Sequence, residues 1–328
     1  MSAQVDVQLK DFSTIFSLEG KVAVVTGGSR GLGLHAASGY VTLAAYPNLA
    51  VCGLRSLTQS TEHSAHPAKS LFSVFLNRLT PFSHSMMQAG CSKIYITSRK
   101  AKACDEAVAA LNALPGKRPG AQAIAIAADF SKISEIERFA AEVAKTTDHI
   151  DILFANAGAT WGAPFETHPE NAFSKVMDLN VKSVFYTVQK LEPLLRKRGT
   201  VDDPSRIIIT ASVAGLGVGT LGPNATYAYS ASKAAAISLA KNLAVELGPR
   251  CISCNAIAPG FYPSKMASGL MEMQGGVETL AKATPNQRVG HPEDIAGLVV
   301  FLASRAATHL NGSVITTDGG SILGRTKL

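Results

Sequence analysis

The chain has 328 residues, 46% hydrophobic and 17% charged, enough for one large α/β domain with a well-buried core. Its net charge of +7 does not mark a nucleic-acid binder. The basic residues are scattered, with short clusters only at residues 99–102 and 196–198, and no aromatic stacking platform accompanies them. No apolar run reaches the ~18 residues of a membrane span, and the opening MSAQVDVQLKDF lacks a basic-then-apolar leader, so a soluble cytoplasmic protein is expected. The final Thr326-Lys327-Leu328 only approximates a peroxisomal tripeptide. Cys52, Cys91, Cys104, Cys251 and Cys254 form no disulfide framework, which suits a reducing compartment. Cys251 and Cys254 spell C-x-x-C, but within CISCNAIAPG they read as a buried strand, where residues three apart face opposite sides; no metal is expected.

Strand and helix signals then alternate. Residues 21–26 (KVAVVT) form a β-branched first strand, and glycines 27, 28, 31 and 33 open a helix expected to run to Tyr40. Residues 93–97 (KIYIT) read as the second strand, and a helix over 101–114 stops at Pro115-Gly116. The third strand, 123–127, is closed by Asp129; a helix over 131–147 follows, with Ser131 as N-cap and Glu135 and Glu137 near its positive end. Residues 150–155 (IDILFA) are the fourth strand and run into Asn156-Ala157-Gly158. A long helix over 169–195, a fifth strand at 206–210, a helix over 230–247 and strands at 253–257 and 313–317 complete the series. The alternation calls for a single α/β domain with a doubly wound, Rossmann-type parallel sheet. Its ligand should lie beyond the carboxyl ends of the strands, where the glycines, Asn156, Ser212, Pro259 and Gly260 fall.

One stretch breaks the pattern. Joining Tyr40 to Met87 would give a continuous first helix, yet residues 41–86 intervene, rich in Ser, Leu, His and Pro and without periodicity. A structureless insertion of this length is unusual in a compact domain. Three readings stand: a tolerated surface excursion, a functional lid or partner arm, and a retained, translated intron. The third is preferred, because every valine codon begins with GT and Val41 therefore fits a donor site. The helix must break near Tyr40, leaving sheet surface less well covered. His63, His66 and His84 lack carboxylate or thiolate partners at ligand spacing, so no metal site is assigned.

The chemistry gathers in Tyr227-Ala228-Tyr229-Ser230-Ala231-Ser232-Lys233. Tyr229 and Lys233 are four apart and share a helix face, whereas Tyr227 does not align with the lysine. An ammonium beside a phenol favours the phenolate and should lower the Tyr229 pKa, so that the hydroxyl can give or take a proton.

Together with Thr26-Gly27-Gly28-Ser29-Arg30-Gly31-Leu32-Gly33, a T-G-x-x-x-G-x-G pattern between strand and helix, this pair resembles the short-chain dehydrogenase/reductase family. Within that family the chain looks most like 3-oxoacyl-[acyl-carrier-protein] reductases, including the rhamnolipid-synthesis type. The resemblance implies a carbonyl reductase in which Tyr229 is the general acid, Lys233 tunes it and binds the nicotinamide ribose, Ser212 holds the substrate oxygen and Asn180 holds a proton-relay water. It implies a nucleotide site of Gly27, Ser29, Arg30, Gly31, Leu32, Gly33, Asp129, Phe130, Asn156, Ala157, Gly158, Tyr229, Lys233, Pro259 and Gly260. The second strand ends in Thr97-Ser98-Arg99 without an acid for a ribose hydroxyl, so Ser98, Arg99 and Arg30 are expected to bind a 2′-phosphate, and NADP(H) is preferred over NAD(H). The partner is then a small-molecule ketone, carried on acyl-carrier protein or CoA, and the helices over 169–195 and 230–247 would join copies into a homodimer or homotetramer. The Gly-rich segment before Tyr229 should be roomy or mobile, and Met266, Leu270, Met271 and Met273 suit an extended apolar substrate or simple packing. Two further readings remain: a secondary-metabolite or polyol dehydrogenase, and an inactive or binding-only product disrupted by the insertion.

Overall fold

The structure, a computed structural model, describes residues 12–29, 31–38, 86–264 and 267–324. Arg30, most of the insertion with its three histidines, Met266 and the C-terminal tripeptide lie outside the described residues.

Seven strands form one sheet: β1 (Val22–Thr26), β2 (Lys93–Thr97), β3 (Gln122–Ala125), β4 (Ile152–Ala155), β5 (Ser205–Thr210), β6 (Ile252–Pro259) and β7 (Val314–Thr317). They are all parallel, in the order β3-β2-β1-β4-β5-β6-β7. A parallel sheet is covered on both faces, which explains why Val22 to Val25 and Ile207 to Ile209 are uninterrupted apolar runs and are all buried. One face is covered by α3 (Ile133–Ala144), α5 (Ser183–Leu195) and α6 (Tyr227–Leu247), through Phe139, Leu191 and Leu243. The other carries α2 (Ala101–Asn112) and a helix over Pro292–Ala303, through Leu111 and Val299. Strand order reverses at β1, which lies between β2 and β4, and open sheets of this kind place their ligand crevice at the carboxyl ends of the strands at such a switch point. The amino ends are closed by polar ties: Asp151 accepts from the Val22 amide (2.8 Å), and Asp203 pairs with Lys21 (2.6 Å) and with the buried Arg206 (3.2 Å).

The helix opened by the glycines, α1 (Gly31–Ser38), makes about two turns, and its expected end at Tyr40 lies outside the described residues. Met86 and Met87 fill the sheet face beyond it, both fully buried, and the chain re-enters through Cys91 N to Met86 O (3.0 Å) and Leu18 N to Ala89 O (2.8 Å). Met86, the last residue of the expected insertion, is thus part of the core.

Other boundaries shift for local reasons. Ser131 is not the N-cap of α3: its hydroxyl and amide both bond Asp129 Oδ1 (2.8 and 3.1 Å), and the helix begins after Lys132 without a side-chain cap. The helix expected over 169–195 is two helices, α4 (Glu170–Met177) and α5, joined by a π turn at Asp178–Lys182. Cys251 precedes β6 in a left-handed turn (φ 56°) and only Cys254 lies in the strand, so the C-x-x-C pair does not share one. Three helices were not expected: α7 (Ser268–Met273), α8 (Gly276–Ala283) and α9 (Pro292–Ala303). A short α10 (Ser321–Gly324) ends the described chain.

Candidate active site

Thr26 ends β1 at the crevice and its hydroxyl accepts the amides of Asn156 and Ala157 (both 3.0 Å). The glycine turn that follows favours glycine at Gly27 and Gly31 through backbone conformation and at Gly33 through close packing. Gly27 has φ +65° and Gly31 φ +55°, and a Cβ on Gly33 would fall 2.6 Å from both Asn156 Nδ2 and Gly27 O. Such contact brings the amino end of α1 onto the carboxyl edge of the sheet, an arrangement suited to an anion. Leu32 is half-buried beside it. Asn156 spends its side chain on the sheet, donating to Thr26 O (3.2 Å) and accepting from Thr210 Oγ1 (3.1 Å).

At the end of β2, Ser29 Oγ donates to Ser98 Oγ (2.9 Å), and Ser98 Oγ also contacts the buried Cys104 sulfur (3.2 Å). Arg99 is exposed next to them. Asp129 lies half-buried at the crevice, whereas Phe130 is packed edge-on against Phe139 (5.3 Å) in the core. The Phe130 side chain therefore offers a nucleotide no surface, and any contact from this residue is through its backbone.

The catalytic candidates come from three places and converge. Ser212 follows β5 in extended conformation, accepting from Ala214 N (3.2 Å), and the turn after it presses on α6: a Cβ on Gly215 would lie 2.5 Å from the Lys233 carbonyl carbon. That contact sets Ser212 beside Tyr229, whose helix starts at Tyr227, a turn earlier than the expected 230. Lys233 Nζ donates to Thr210 O (2.6 Å) and stands 5.5 Å from the centre of the Tyr229 ring. Asn180 lies in the π turn and is 1% exposed; Oδ1 accepts from Ala159 N (2.8 Å), while Nδ2 donates to Ala159 O (2.9 Å) and Ser232 Oγ (2.9 Å). Gly158 leaves room between them, since a Cβ there would meet Asn180 Oδ1 at 3.1 Å and Lys233 Nζ at 3.6 Å. Pro259 ends β6, and Gly260 closes on Asp318, whose Cβ would be 2.8 Å from one on the glycine.

The electrostatics differ from expectation at one point. Burial pushes the Tyr229 phenol up, and the hydrogen bond from Ser212 pulls it partly back. Burial likewise pushes Lys233 down, to about 8. Both groups therefore favour their neutral forms relative to water. Residue pattern alone missed Thr210, which anchors both Lys233 and Asn156, and Ser232; both are small hydroxyl residues beside recognised motif positions.

The Gly-rich segment between Ser212 and Tyr229 is tied down rather than loose. Thr226 N bonds Thr220 O (2.9 Å), Ala163 N bonds Ala225 O (3.1 Å), and Gly219 abuts Ser230. Its apolar side chains still face outward: Leu216, Val218 and Leu221 are exposed, as are Trp161 and Phe165 on the adjoining segment. A cavity of about 560 Å³ adjoins Leu216, between Tyr262, Arg288, Thr317 and Ile322. Among the methionines, Met271 is buried against Leu280 and Val289, a packing role, and Met273 is exposed. No helix among the described residues is long and apolar enough to cross a membrane.

A family profile described as enoyl-(acyl carrier protein) reductase matches residues 82–321. The chain is 34% identical over 305 residues to the rhamnolipids biosynthesis 3-oxoacyl-[acyl-carrier-protein] reductase of Pseudomonas aeruginosa, covering 93% of this chain and 97% of that one. The solved RhlG/NADP active-site complex of the same organism superposes with a TM-score of 0.74 at 33% identity, covering 94% of this chain and 98% of that chain. A putative 2-deoxy-d-gluconate 3-dehydrogenase from Agrobacterium tumefaciens with bound NADP is also similar, at TM-score 0.68 and 26% identity over 94% of this chain and 99% of that chain.

Proposed function

The chain belongs to the short-chain dehydrogenase/reductase family, and on that premise we propose that it is an NADPH-dependent carbonyl reductase acting on a 3-oxoacyl thioester or similar ketone. The observation that carries the reading is the convergence of Ser212, Tyr229, Lys233 and Asn180 beside a glycine turn at one edge of the sheet.

The residues fit a phosphorylated dinucleotide. Gly27 and Gly33 let the start of α1 close onto the ends of the strands, which aims its free amides where a pyrophosphate would sit, and no acid stands at the end of β2 to repel a 2′-phosphate near Ser98 and Arg99. NADPH supplies the hydride. The chain's own groups handle the oxygen: the protonated Tyr229 hydroxyl gives its proton to the developing alkoxide, and the Ser212 hydroxyl donates a hydrogen bond to the same atom. A phenol held up by burial is poised as a donor, the direction that reduction needs. Lys233, charged below about pH 8, stabilises the phenolate left behind. The Asn180 amide has its two N–H groups and an Oδ1 lone pair engaged, so a relay water at this residue would be held mainly by its backbone.

A polyol ketone is the second reading, favoured by likeness to the gluconate-type dehydrogenase. The exposed Trp161, Phe165, Leu216, Val218 and Leu221 favour an apolar tail instead. Fluorescence titration of the full-length chain should show NADPH binding at least about tenfold tighter than NADH, a difference of about 1.4 kcal/mol. Equal affinities, or a preference for NADH, would contradict the assignment of Ser98 and Arg99.

The same reading holds that residues 41–86 interrupt a working scaffold. Deletion of 41–85, with the buried Met86 kept, should raise Tm, because α1 could then continue over the sheet. An unchanged or lower Tm would speak for a segment that contributes to the fold.

A further inference from the structure

Ser232 lies on α6 between the two catalytic residues and is fully buried, at 0% exposure. Its hydroxyl donates to Tyr229 O (2.7 Å) and accepts from Asn180 Nδ2 (2.9 Å). A helical serine commonly gives its proton to a carbonyl one turn back, which leaves its lone pairs for a single outside donor. Here that donor comes from the π turn at Asp178–Lys182, a local widening that helices often use at functional sites. The other Nδ2 hydrogen and Oδ1 bind Ala159 just beyond β4. A continuous chain of hydrogen bonds thus runs from the end of β4 through Asn180 and Ser232 to the backbone of Tyr229.

We propose that Ser232 is a positioning residue for the reduction: through Asn180 it locks the π turn against α6 and so sets the relative placement of Asn180, Tyr229 and Lys233. Ser232 itself touches no reacting atom. This assignment rests on the reading of Tyr229 as the proton donor.

Removal of the hydroxyl in Ser232→Ala leaves a buried Asn180 N–H without an acceptor, which the turn can relieve only by moving. Small displacements of catalytic groups cost up to about a hundredfold in rate. The Ser232→Ala enzyme, normalised to NADPH-binding sites, should therefore lose about ten- to a hundredfold in kcat, with the KM for NADPH unchanged and the pH profile of kcat displaced. Ser232→Thr, which retains the hydroxyl, should recover most of that loss. In an Asn180→Ala background, Ser232→Ala should cost little more in kcat, because both act through one linkage. Wild-type kcat and pH profile in Ser232→Ala alongside a lowered Tm would reduce the residue to a packing element and overturn the proposal, as would full additivity with Asn180→Ala. Wild-type turnover in Tyr229→Phe would instead overturn the underlying reading of the reaction, so the two failures are separable.

Discussion

Tyr229→Phe should lower kcat for ketone reduction by about 10²- to 10⁴-fold, the range for loss of a positioned general acid, while NADPH still binds and Tm stays near wild type. The ring remains to fill its half-buried place on α6, and only the hydroxyl that meets Ser212 is lost. Hydride transfer then leaves an alkoxide with no acid beside it except water. The Ser212 hydroxyl can donate a hydrogen bond to that oxygen but has no suitable pKa to protonate it. Turnover within about tenfold of wild type would mean that another group supplies the proton. Loss of NADPH binding along with turnover would mean that the substitution disturbs the site as a whole.

Lys233→Met should separate stability from function. The lysine is 4% exposed, and burial depresses it from its ordinary 10.5 to about 8. Below pH 8 the folded chain carries a buried ammonium that would rather be in water, a penalty of about 3 kcal/mol at about 1.4 kcal/mol per unit. Methionine removes the penalty and fills similar volume, at the cost of the charge-assisted hydrogen bond to Thr210 O, about 1.5–2 kcal/mol. The variant should therefore melt a few degrees higher at neutral pH. Its advantage should shrink between pH 8 and 10.5, because there the unfolded wild-type chain binds more protons than the folded one and wild-type stability rises with pH. Turnover, by contrast, should fall sharply, since no charge remains to stabilise the Tyr229 phenolate. In the wild-type enzyme kcat/KM for reduction should decline above about pH 8 for the same reason. A lower Tm for Lys233→Met, or a gain that ignores pH, would contradict the account of a desolvated ammonium.

The two cases mark what residue order could and could not convey. The strands were legible because parallel strands buried on both faces are short apolar runs, as in Ile207 to Ile209, and because each ends in a turn residue. The glycine turn was legible for a steric reason: the Gly33 position admits no side chain. Helix starts were less so. Ser131 has the chemistry of an N-cap, but Asp129 two residues earlier captured it. The segment over 292–303 contains the run GLVVFLA, which strand and helix patterns share, and only Pro292 and the Asp294 carboxylate on His291 N (2.7 Å) mark it as a helix start. The direction of the Tyr229 shift is not legible in the sequence, because spacing reveals the neighbouring lysine and not the burial of both groups, which depends on the packing of α6, the Ser212 turn and the segment after β4. Ser232 escaped for the same reason. Its partner Asn180 is 52 residues away in the chain and comes within reach only through the π turn.

The most direct test of the central claim is consumption of NADPH by the purified full-length chain in the presence of a 3-oxoacyl thioester, followed by loss of the reduced-nicotinamide absorbance and by identification of the product. The account predicts steady oxidation of NADPH with one 3-hydroxyacyl product formed per cofactor, a much slower reaction with NADH, and near silence from Tyr229→Phe. NADPH that binds but is not oxidised by any 3-oxoacyl thioester or polyol ketone would contradict it, and the glycine turn and its neighbouring tyrosine would then belong to a nucleotide-binding protein without this chemistry.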